Sequence, residues 1–571
     1  MSRKVIIIGG VAGGASTATR LRRLNEDMEI VLLERGEYIS FANCGLPYHI
    51  GEVIKPREKI FLMTPQRFRE WYNIDVRINS EAISIDPIGQ SVEVLDHQSG
   101  KSYRENYDYL VLSPGAEPIR PPLPGIDHPA VFTLRTVADM DRIYSFIQNH
   151  NPASAVVVGA GSIGLEMAEN LQARGMAIAL VELSSQVLPF LDPEMAALVQ
   201  QHLREKGIAL YLNDGAASFE ETEGPGVAVT LRSGKKLGPA LAILAVGVKP
   251  ELKLAREAGL EVGMGIKVNR YLQTSQPNIY ALGDAIEVTD FVTGAPALIP
   301  LAGPANKQAR IVANNISGRR EEYRGTQGTA ILKVFDLTVA ATGANERTLQ
   351  QAGLPYKYCL IHPGSYAGYY PGSSPMALKL IFSPEGKIYG AQAVGRTGVD
   401  KRIDVIATAL RFQKSVYDLQ ELELSYAPPY SMAKDPVNLA GYVAGNILQG
   451  DLPVITPAEL LAAKQANGSL QLVDVREPRE LEKDGFIDRA VNIPLGQLRS
   501  RIDELPRDRD LVLYCAVGMR SYIAVRILLQ RGFTRVHSLL GGYRTYRALE
   551  KEMAENTAGL SQAQARKKGE A

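Results

Sequence analysis

Cysteine is scarce in this sequence of 571 residues, which contains only Cys44, Cys359 and Cys515. A sparse, odd-numbered set cannot form a disulfide framework and is typical of a reducing compartment, so we expect a cytoplasmic protein. Long hydrophobic runs are also lacking. No stretch approaches the roughly 20 apolar residues of a membrane span, and the run Val5–Ile8 is too short for the apolar region of a signal peptide.

An excess of charge of either sign is lacking as well. The sequence has 63 Lys plus Arg against 62 Asp plus Glu, a formal net charge of +1. No global electrostatic field therefore draws the chain to nucleic acid or to a membrane, and any basic site must be local. The length predicts three to four domains of about 150 residues, and a hydrophobic content of 45% is enough for several cores.

A dinucleotide-binding unit is predicted at the start of the chain. The run Val5–Ile8 is typical of a buried parallel strand, and a second strand ends at Glu34 after an intervening helix. Glycines between strand and helix let the backbone approach a pyrophosphate, and the carboxylate can accept hydrogen bonds from ribose hydroxyls. The residues predicted to bind this nucleotide are Gly9, Gly10, Val11, Ala12, Gly13, Gly14 and Glu34.

A second unit follows the strand Ala155–Val158 with an intact GxGxxG motif. Its second strand ends at Glu182, which would pair with ribose hydroxyls and repel a 2′-phosphate, and the next residues supply no cation to bind one. The nicotinamide cofactor is therefore predicted to be NADH. Two nucleotide units in one chain indicate FAD plus a nicotinamide. The binding residues predicted here are Gly159, Gly161, Gly164 and Glu182.

Two further strand ends lie between and after these units. The predicted strand Tyr109–Leu112 runs into a turn that contains Ser113 and Gly115. The run Ile279–Leu282 leads to Gly283 and Asp284, whose carboxylate could accept from a ribityl hydroxyl of the flavin. A predicted helix that begins near Pro300 carries Asn306 and Lys307.

The loop from Ser40 to Tyr48 holds a single cysteine, Cys44, soon after the first nucleotide unit. A thiol does redox work as the thiolate, so we expect an electropositive or hydrogen-bonding surround that favours that form. No second cysteine stands at a spacing that would allow an internal dithiol, and the partner sulfur must come from a ligand. Just before this loop, the first helix carries Ser16, Arg20 and Arg23 on one face, which suits phosphate recognition.

From about residue 325 alternating apolar strands and helices predict an α+β domain without a nucleotide motif. Tyr366, Tyr369 and Tyr370 lie in one of its Gly/Pro-rich loops, and Tyr426 and Tyr430 lie in another. Loop tyrosines are commonly surface or interface residues. Cys359, which has no basic neighbour, is predicted to be structural.

The last domain follows a Gly/Pro-containing linker and is predicted to be a small α/β domain. Its strand Leu511–Tyr514 leads into Cys515, a loop, and Arg520 at the start of a helix. Backbone amides that curl round the sulfur, with a nearby arginine, would favour a thiolate or a persulfide anion.

Together these motifs resemble the coenzyme A disulfide reductases of the pyridine nucleotide-disulfide oxidoreductase superfamily, fused to a C-terminal rhodanese domain. The resemblance covers residues 1 to about 550 and includes the NADH-dependent persulfide reductases. Its motifs are Gly9-x-Val11-Ala12-Gly13-Gly14, Ser40-Phe41-Ala42-Asn43-Cys44, the segment from Thr274 to Asp284, and Tyr426-Ala427-Pro428-Pro429-Tyr430-Ser431-x-x-Lys434-Asp435.

The resemblance implies FAD, NADH and coenzyme A as ligands, with Cys44 as the redox cysteine. It implies a homodimer in which Tyr369 and Tyr426 reach the active site of the partner subunit. The residues assigned to coenzyme A are Ser16, Arg20, Arg23, Ser40, Asn43, Asn306, Lys307 and Lys434.

Two positions depart from the family pattern. At one position where the family has a basic residue that contacts coenzyme A, this chain has Tyr72. Arg67 or Arg69 is therefore expected to make that contact instead. Rhodanese domains usually carry a Gly-His-Ile turn, and this chain has Gly485-Phe486-Ile487 at that place.

The predicted fold class is α/β, with two Rossmann-like nucleotide-binding domains, an α+β dimerisation domain and a C-terminal rhodanese-like domain. The predicted boundaries are 1–150 with 250–324 for FAD, 151–249 for NAD, 325–445 for dimerisation, 454–550 for rhodanese and 551–571 for a flexible tail. The predicted function is reduction of coenzyme A disulfide, coenzyme A persulfide or polysulfide by NADH, with sulfane sulfur relayed through Cys515.

Two alternatives stay open. One is an NADH oxidase or peroxidase that cycles its cysteine through sulfenic acid. Those relatives carry a histidine in the first glycine loop, where this chain has Ala12. The other is a non-catalytic sulfur carrier or redox sensor in which the flavin is structural.

Overall fold

The structure is a computed structural model that describes residues 3–466 and 470–569, with side chains through residue 556. The chain divides into two compact units. The first comprises Met1–Leu180 and Ala216–Gly328, and the second comprises Val181–Gly215 and Thr329–Ala571. Nothing among the described helices is both long and apolar enough to cross a membrane.

The first unit contains a five-stranded parallel sheet that begins with the N-terminal strand. Its strands in spatial order are Ile279–Ala281, Tyr109–Leu112, Lys4–Ile8, Glu29–Leu33 and Asp75–Arg77. Apolar side chains on both faces of these strands are buried, as expected for a parallel sheet covered by helices. The helices Ala12–Leu24 and Ala302–Ile316 pack against each other.

The second nucleotide motif belongs to another sheet of this unit. The strands Ser154–Val158 and Val131–Phe132 pair in parallel with Lys236–Leu244, and an antiparallel pair extends the sheet. The remaining strands of the unit are Ala177–Val181, Ala216–Thr222, Gly224–Leu231, Ser80–Asp86, Ser91–Asp96, Lys101–Asn106, Ala116–Pro118, Val248–Pro250, Val288–Thr289 and Pro296–Ala297. Its other α-helices and 3₁₀ turns are Asn43–Gly45, Leu46–Ile50, Arg57–Ile60, Pro65–Tyr72, Val137–His150, Ser162–Ala173, Lys253–Glu257 and Gly283–Ala285.

The second unit is built on two sheets. The antiparallel sheet has the spatial order Ala330–Val334, Leu337–Gly343, Ile388–Gly395, Met376–Phe382 and Lys357–Ile361. The C-terminal parallel sheet has the order Val454–Ile455, Val536–Leu539, Leu511–Tyr514, Gln471–Asp474 and Val491–Asn492. The other elements are the strand Ala209–Tyr211 and the helices Pro193–Glu205, Glu346–Gln351, Val399–Arg411, Val416–Gln420, Pro436–Leu448, Pro457–Gln465, Pro478–Asp484, Ile502–Glu504, Met519–Gln530 and Gly542–Gly569.

The predicted tail at 551–571 is wrong at its start. The helix Gly542–Gly569 continues through it, and Glu552 is buried at 3% exposure. Gln200 Nε2 donates to the Glu552 carboxylate at 2.6 Å, and Arg204 forms ion pairs with Glu552 and with Glu555. A polar composition predicted fraying, but these side chains pair with the helix Pro193–Glu205. Residues 181–215 belong to the second compact unit, so this division cuts through the predicted NAD-binding segment 151–249.

Candidate active site

The first glycine turn is packed too closely for any side chain. A Cβ atom at Gly9, whose φ is +98°, would lie 2.2 Å from the Ser113 carbonyl oxygen, and one at Gly14 would lie 1.8 Å from the Gly9 carbonyl oxygen. The Gly10 amide donates to Glu34 Oε2 at 2.8 Å, which holds that carboxylate beside the turn. The sequence motif therefore forms the tight strand-to-helix turn that a dinucleotide needs.

These residues fit the diphosphate and ribose of FAD. Val11 is the N-cap residue of the helix Ala12–Leu24. Its side chain has no oxygen with which to cap the first-turn amides. Those amides and the positive end of the helix dipole suit a pyrophosphate. Glu34 accepts from the Gly10 and Gly36 amides at 2.8 Å and stands where a ribose hydroxyl would reach it.

Asp284 lies on the far wall of this cradle, in the 3₁₀ turn Gly283–Ala285. Burial raises the pKa of its carboxyl group, while the positive charge of Arg135 acts in the opposite direction. Arg135 in turn donates to the Pro114 carbonyl at 3.1 Å, which ties it to the turn containing Ser113 and Gly115. The sequence reasoning missed Arg135, because no local motif marks an arginine that reaches the site from a separate loop.

Cys44 occupies the 3₁₀ turn Asn43–Gly45 and is the exposed one of three free cysteines, all of which lie within the described residues. The loop before it is anchored, since the Ser40 amide donates to the Gly10 carbonyl and the Ala42 amide donates to the Ile60 carbonyl, both at 2.8 Å. Ser40 itself has a φ of +46°. The loop is thus fixed directly to the first glycine turn.

The sequence predicts an electropositive or hydrogen-bonding surround for Cys44, but the charged groups that act on its sulfur are acidic. Partial burial of the sulfur, reinforced by the negative charges of Glu166 and Asp284, raises the pKa of the thiol. The sequence could not show this, because both acidic residues come from distant parts of the chain.

The helix face predicted to bind coenzyme A carries Ser16 and Arg20, and further basic groups lie close to Arg20. Ser16 Oγ donates to Asn306 Oδ1 at 2.6 Å, and the Arg20 guanidinium donates to Asn314 Oδ1 at 3.1 Å. Burial and the neighbouring charges of Arg310, Arg319 and Arg23 lower the pKa of Arg20. Arg310 on the helix Ala302–Ile316 and Arg319 just beyond its end are cations that the sequence reasoning missed, and phosphate groups favour such a cluster.

The other predicted coenzyme A residues lie as follows. Asn43 and Lys434 are exposed, and Lys307 lies 5.6 Å from the ring centre of Tyr323. Tyr72 packs against Phe68 and the core, and its carbonyl oxygen accepts from the buried Arg22.

The second glycine turn repeats the geometry of the first. A Cβ atom at Gly159, whose φ is +105°, would lie 2.3 Å from the Ala245 carbonyl oxygen, and one at Gly164 would lie 2.0 Å from the Gly159 carbonyl oxygen. Glu182 Oε1 accepts from the Ser184 amide at 2.8 Å. Glu34 makes the same contact with the amide two residues after it, that of Gly36. The glycine turn fits the pyrophosphate of NAD(H).

The two predicted catalytic tyrosines come together on the second unit. The hydroxyl groups of Tyr369 and Tyr426, both exposed, are 3.1 Å apart, and this hydrogen bond raises the pKa of Tyr369. The buried Arg402 holds their loops, since it donates to the Ser365 carbonyl and to Asp435 Oδ2, both at 3.0 Å. Arg402 was not identified from the sequence, because its helical context is that of an ordinary amphipathic position.

Cys515 lies beneath its loop at 1% exposure, and the Gly518 amide donates to its sulfur at 3.1 Å. Ser521 Oγ is 3.9 Å from the same sulfur. One amide of the predicted cradle thus donates to the sulfur. Arg520, however, donates to both oxygens of Glu480 at 2.6 and 2.7 Å, which lowers the pKa of Glu480 to about 2. Arg520 also acts on the Cys515 sulfur, so the arginine that the sequence predicts near this sulfur is paired with a carboxylate as well.

Two other positions bear on the sequence predictions for these domains. Cys359 is fully buried, and burial raises the pKa of its thiol to about 12, so a structural role fits. In the Gly485-Phe486-Ile487 turn Phe486 is exposed, and the Ile487 amide donates to the Tyr514 hydroxyl at 3.2 Å.

Comparison with known proteins identifies the class. Residues 3–309 match the pyridine nucleotide-disulphide oxidoreductase family, 329–436 match its dimerisation domain, and 456–549 match the rhodanese-like domain. The chain therefore belongs to the pyridine nucleotide-disulphide oxidoreductases and carries a C-terminal rhodanese-like domain. Members of this family use FAD and NAD(H).

The chain is also similar to individual proteins over most of its length. The chain is 38% identical to the coenzyme A disulfide reductase of Staphylococcus haemolyticus over 449 residues, 78% of this chain and all of that one. It is 37% identical to an NADH oxidase of Methanocaldococcus jannaschii over 439 residues, 76% of this chain and 97% of that one.

Two solved structures resemble nearly the whole chain. The structure of reduced Bacillus anthracis CoADR-RHD has a TM-score of 0.94 at 49% identity and covers 97% of this chain and 99% of its own. An NAD-dependent persulfide reductase from A. fulgidus has a TM-score of 0.89 at 37% identity and covers 95% of this chain and 100% of its own. The predicted family and fold class are thereby confirmed.

Proposed function

We propose that the chain uses NADH to reduce coenzyme A disulfide, coenzyme A persulfide or polysulfide at Cys44, and that its rhodanese domain relays sulfane sulfur through Cys515. The observation that carries the proposal is the position of Cys44. It is an exposed thiol anchored to the first glycine turn and within the electrostatic reach of Asp284. Two of the relatives named above, the coenzyme A disulfide reductase and the NAD-dependent persulfide reductase, act on the same sulfur chemistry.

The residues of the chain would divide the reaction as follows. FAD, when bound, supplies a two-electron relay between NADH and sulfur. The Cys44 thiolate attacks one sulfur of the disulfide, the S–S bond breaks, and a mixed disulfide with coenzyme A forms as the other thiolate leaves. The electron pair from NADH then cleaves the mixed disulfide, which releases the second thiolate and restores the Cys44 thiolate.

Proton delivery and substrate binding fall to other side chains. Tyr369 or Tyr426 would protonate a leaving thiolate, and the hydrogen bond between them keeps Tyr369 in the protonated form. The basic face containing Arg20, Arg23 and Arg310 would bind the phosphates of coenzyme A.

One variant and two measurements test this function. Cys44→Ser should abolish reduction of disulfide and persulfide but leave FAD bound and reducible by NADH, because hydride transfer precedes sulfur chemistry. Flavin absorbance under NADH and steady-state turnover on coenzyme A disulfide measure the two steps separately. Retention of wild-type turnover in Cys44→Ser would refute the proposal.

One of the relatives is an NADH oxidase, so the oxidase alternative needs its own measurement. Ala12 occupies the place of the histidine used in peroxide chemistry, so we expect slow oxygen consumption relative to reduction of sulfur substrates. Oxygen uptake faster than disulfide reduction under the same NADH concentration would favour the oxidase. A chain that binds flavin but turns over none of these substrates would favour the carrier or sensor.

We also propose a homodimer in which Tyr369 and Tyr426 serve the Cys44 of the partner subunit. The two exposed tyrosines and the matched dimerisation domain support this assembly. A fully active monomer in sedimentation at assay concentration would rule it out. The four-domain division and the cytoplasmic location predicted from the sequence remain part of the proposal.

A further inference from the structure

A loop of residues 183–191, the ribose loop, follows Glu182. The Glu182 carboxylate accepts from the Ser184 amide of this loop at 2.8 Å, and the Ser184 carbonyl accepts from the Asn213 amide at 2.9 Å. A carboxylate binds a ribose hydroxyl only at hydrogen-bond distance, so the position of the ribose loop decides whether Glu182 reaches the ribose. Groups that fix this loop therefore affect nucleotide binding.

The C-terminal helix Gly542–Gly569 contacts the ribose loop directly. The half-buried Asn556 donates from its Nδ2 to the Ser185 carbonyl oxygen at 3.1 Å, across 371 residues of chain. Both residues belong to the second compact unit, as does Glu182. Ser185 is the neighbour of Ser184, whose amide donates to the Glu182 carboxylate. The side chain of Asn556 thus holds the loop one residue away from that contact.

Gln200 makes a second, buried connection between this helix and the ribose loop. Its Nε2 donates to Glu552 at 2.6 Å, and its Oε1 accepts from the Val187 amide at 3.1 Å. None of the three residues is more than 3% exposed. Because the donor and the acceptor of one side-chain amide are both used, Glu552 fixes the orientation in which Gln200 satisfies the Val187 amide.

Ion pairs hold the helix in the same register. Arg204, one turn after Gln200, pairs with Glu552 and with Glu555. Residues at i, i+3 and i+4 share a helix face, so Asn556 lies on the same face as these two carboxylates. Neither the exchange at Cys44 nor the sulfur relay outlined above uses any of these side chains.

We propose that Asn556 and Glu552 are positioning residues for the nicotinamide cofactor, because they fix the ribose loop so that Glu182 meets the ribose. The helix that carries them begins within the rhodanese-like domain, so nucleotide binding is coupled to that domain. This inference rests on the proposed function, since it takes Glu182 as the residue that binds the ribose. Linkage makes the coupling reciprocal, and bound nucleotide should hold the helix in place as well.

The test measures nucleotide binding without turnover. Isothermal titration calorimetry with NAD⁺ on the FAD-loaded protein gives Kd, and NAD⁺ does not reduce the flavin. One hydrogen bond is worth a factor of roughly two to ten, so Asn556→Ala should raise Kd about two- to fivefold. Asn556→Asp should raise it further, since a carboxylate would then face the Ser185 carbonyl. Glu552→Ala should also raise Kd, through Gln200 and Val187.

Hydrogen exchange measures the reciprocal effect. In the wild type, NAD⁺ should slow exchange of the backbone amides at residues 545–556, and Asn556→Ala should reduce this protection. A residue that merely stabilised the fold would change exchange equally with and without NAD⁺. That result would contradict the coupling.

Lys551→Ala is the matched control, because Lys551 is exposed on the same helix and pairs with Glu555 of that helix. It should bind NAD⁺ with the wild-type Kd, and a loss equal to that of Asn556→Ala would overturn the inference. A wild-type Kd in both Asn556→Ala and Glu552→Ala, with weaker binding in Glu182→Ala, would also overturn it but leave the proposed ribose contact standing. Unchanged binding in Glu182→Ala would refute that contact and this inference with it.

Discussion

Replacing Lys379 with methionine should destabilise the second unit severely. Its ammonium group is completely buried, 2.8 Å from Asp192 Oδ2 and in contact with the carboxylates of Glu194 and Glu346. It also lies 3.9 Å from the ring centre of Tyr358. Lys379→Met keeps the length of the side chain but leaves three buried carboxylates without their cation.

The magnitude follows from the cost of breaking a buried ion pair. Removal of one partner costs about 3 to 5 kcal/mol, which for a unit of this size lowers Tm by about 6 to 20 °C. Differential scanning calorimetry measures this shift, because the several domains prevent a single two-state free energy. Lys387→Met is the matched control, since Lys387 is an exposed residue at the start of the neighbouring strand. That variant should stay within about 0.5 kcal/mol of wild type.

The pH dependence makes this prediction more specific. Burial already raises the pKa of Glu346, with Lys379 acting in the opposite direction. Without the lysine, the pKa of Glu346 in the folded variant should rise further above that of the unfolded chain. The folded variant then binds more protons than the unfolded chain, so its stability falls as pH rises. The loss of Tm should therefore be smaller at pH 5 than at pH 8. An equal loss at both, or a loss under about 2 °C, would refute the reasoning.

Three other predictions concern the nucleotide, the second cysteine and the C-terminal helix. Glu182 should make kcat/KM for NADH exceed that for NADPH, and a preference for NADPH would show that the second motif was misread. Cys515→Ser should eliminate transfer of sulfane sulfur from thiosulfate while reduction of coenzyme A disulfide continues; loss of the latter in a folded, flavin-loaded variant would contradict the relay. Glu552→Ala should cost about 1 to 3 kcal/mol, because Gln200 and Arg204 lose a buried carboxylate, and should expose the C-terminal helix to limited proteolysis. Unchanged proteolysis would contradict that role.

The local features of this protein were determined by the sequence alone. Both glycine turns form where the motifs predicted them, because only residues without a Cβ atom fit those turns. Glu34 and Glu182 follow their strands as predicted, and the buried strands match the continuous apolar runs. Cys515 lies at the end of a strand, and the Gly518 amide of the following loop donates to its sulfur. This arrangement also follows from the order of nearby residues. Each of these depends on residues close together in the chain.

Only the tertiary structure decided what surrounds the reactive groups. Cys44 meets acidic rather than basic neighbours because Glu166 and Asp284 arrive from helices and turns more than 100 residues away. Glu480 pairs with Arg520 across 40 residues. The polar C-terminal segment continues as a helix because Glu552 finds partners some 350 residues earlier. The pKa and the pairing of a charged group depend on its neighbours in space. No local pattern in the sequence shows which distant side chains those neighbours will be.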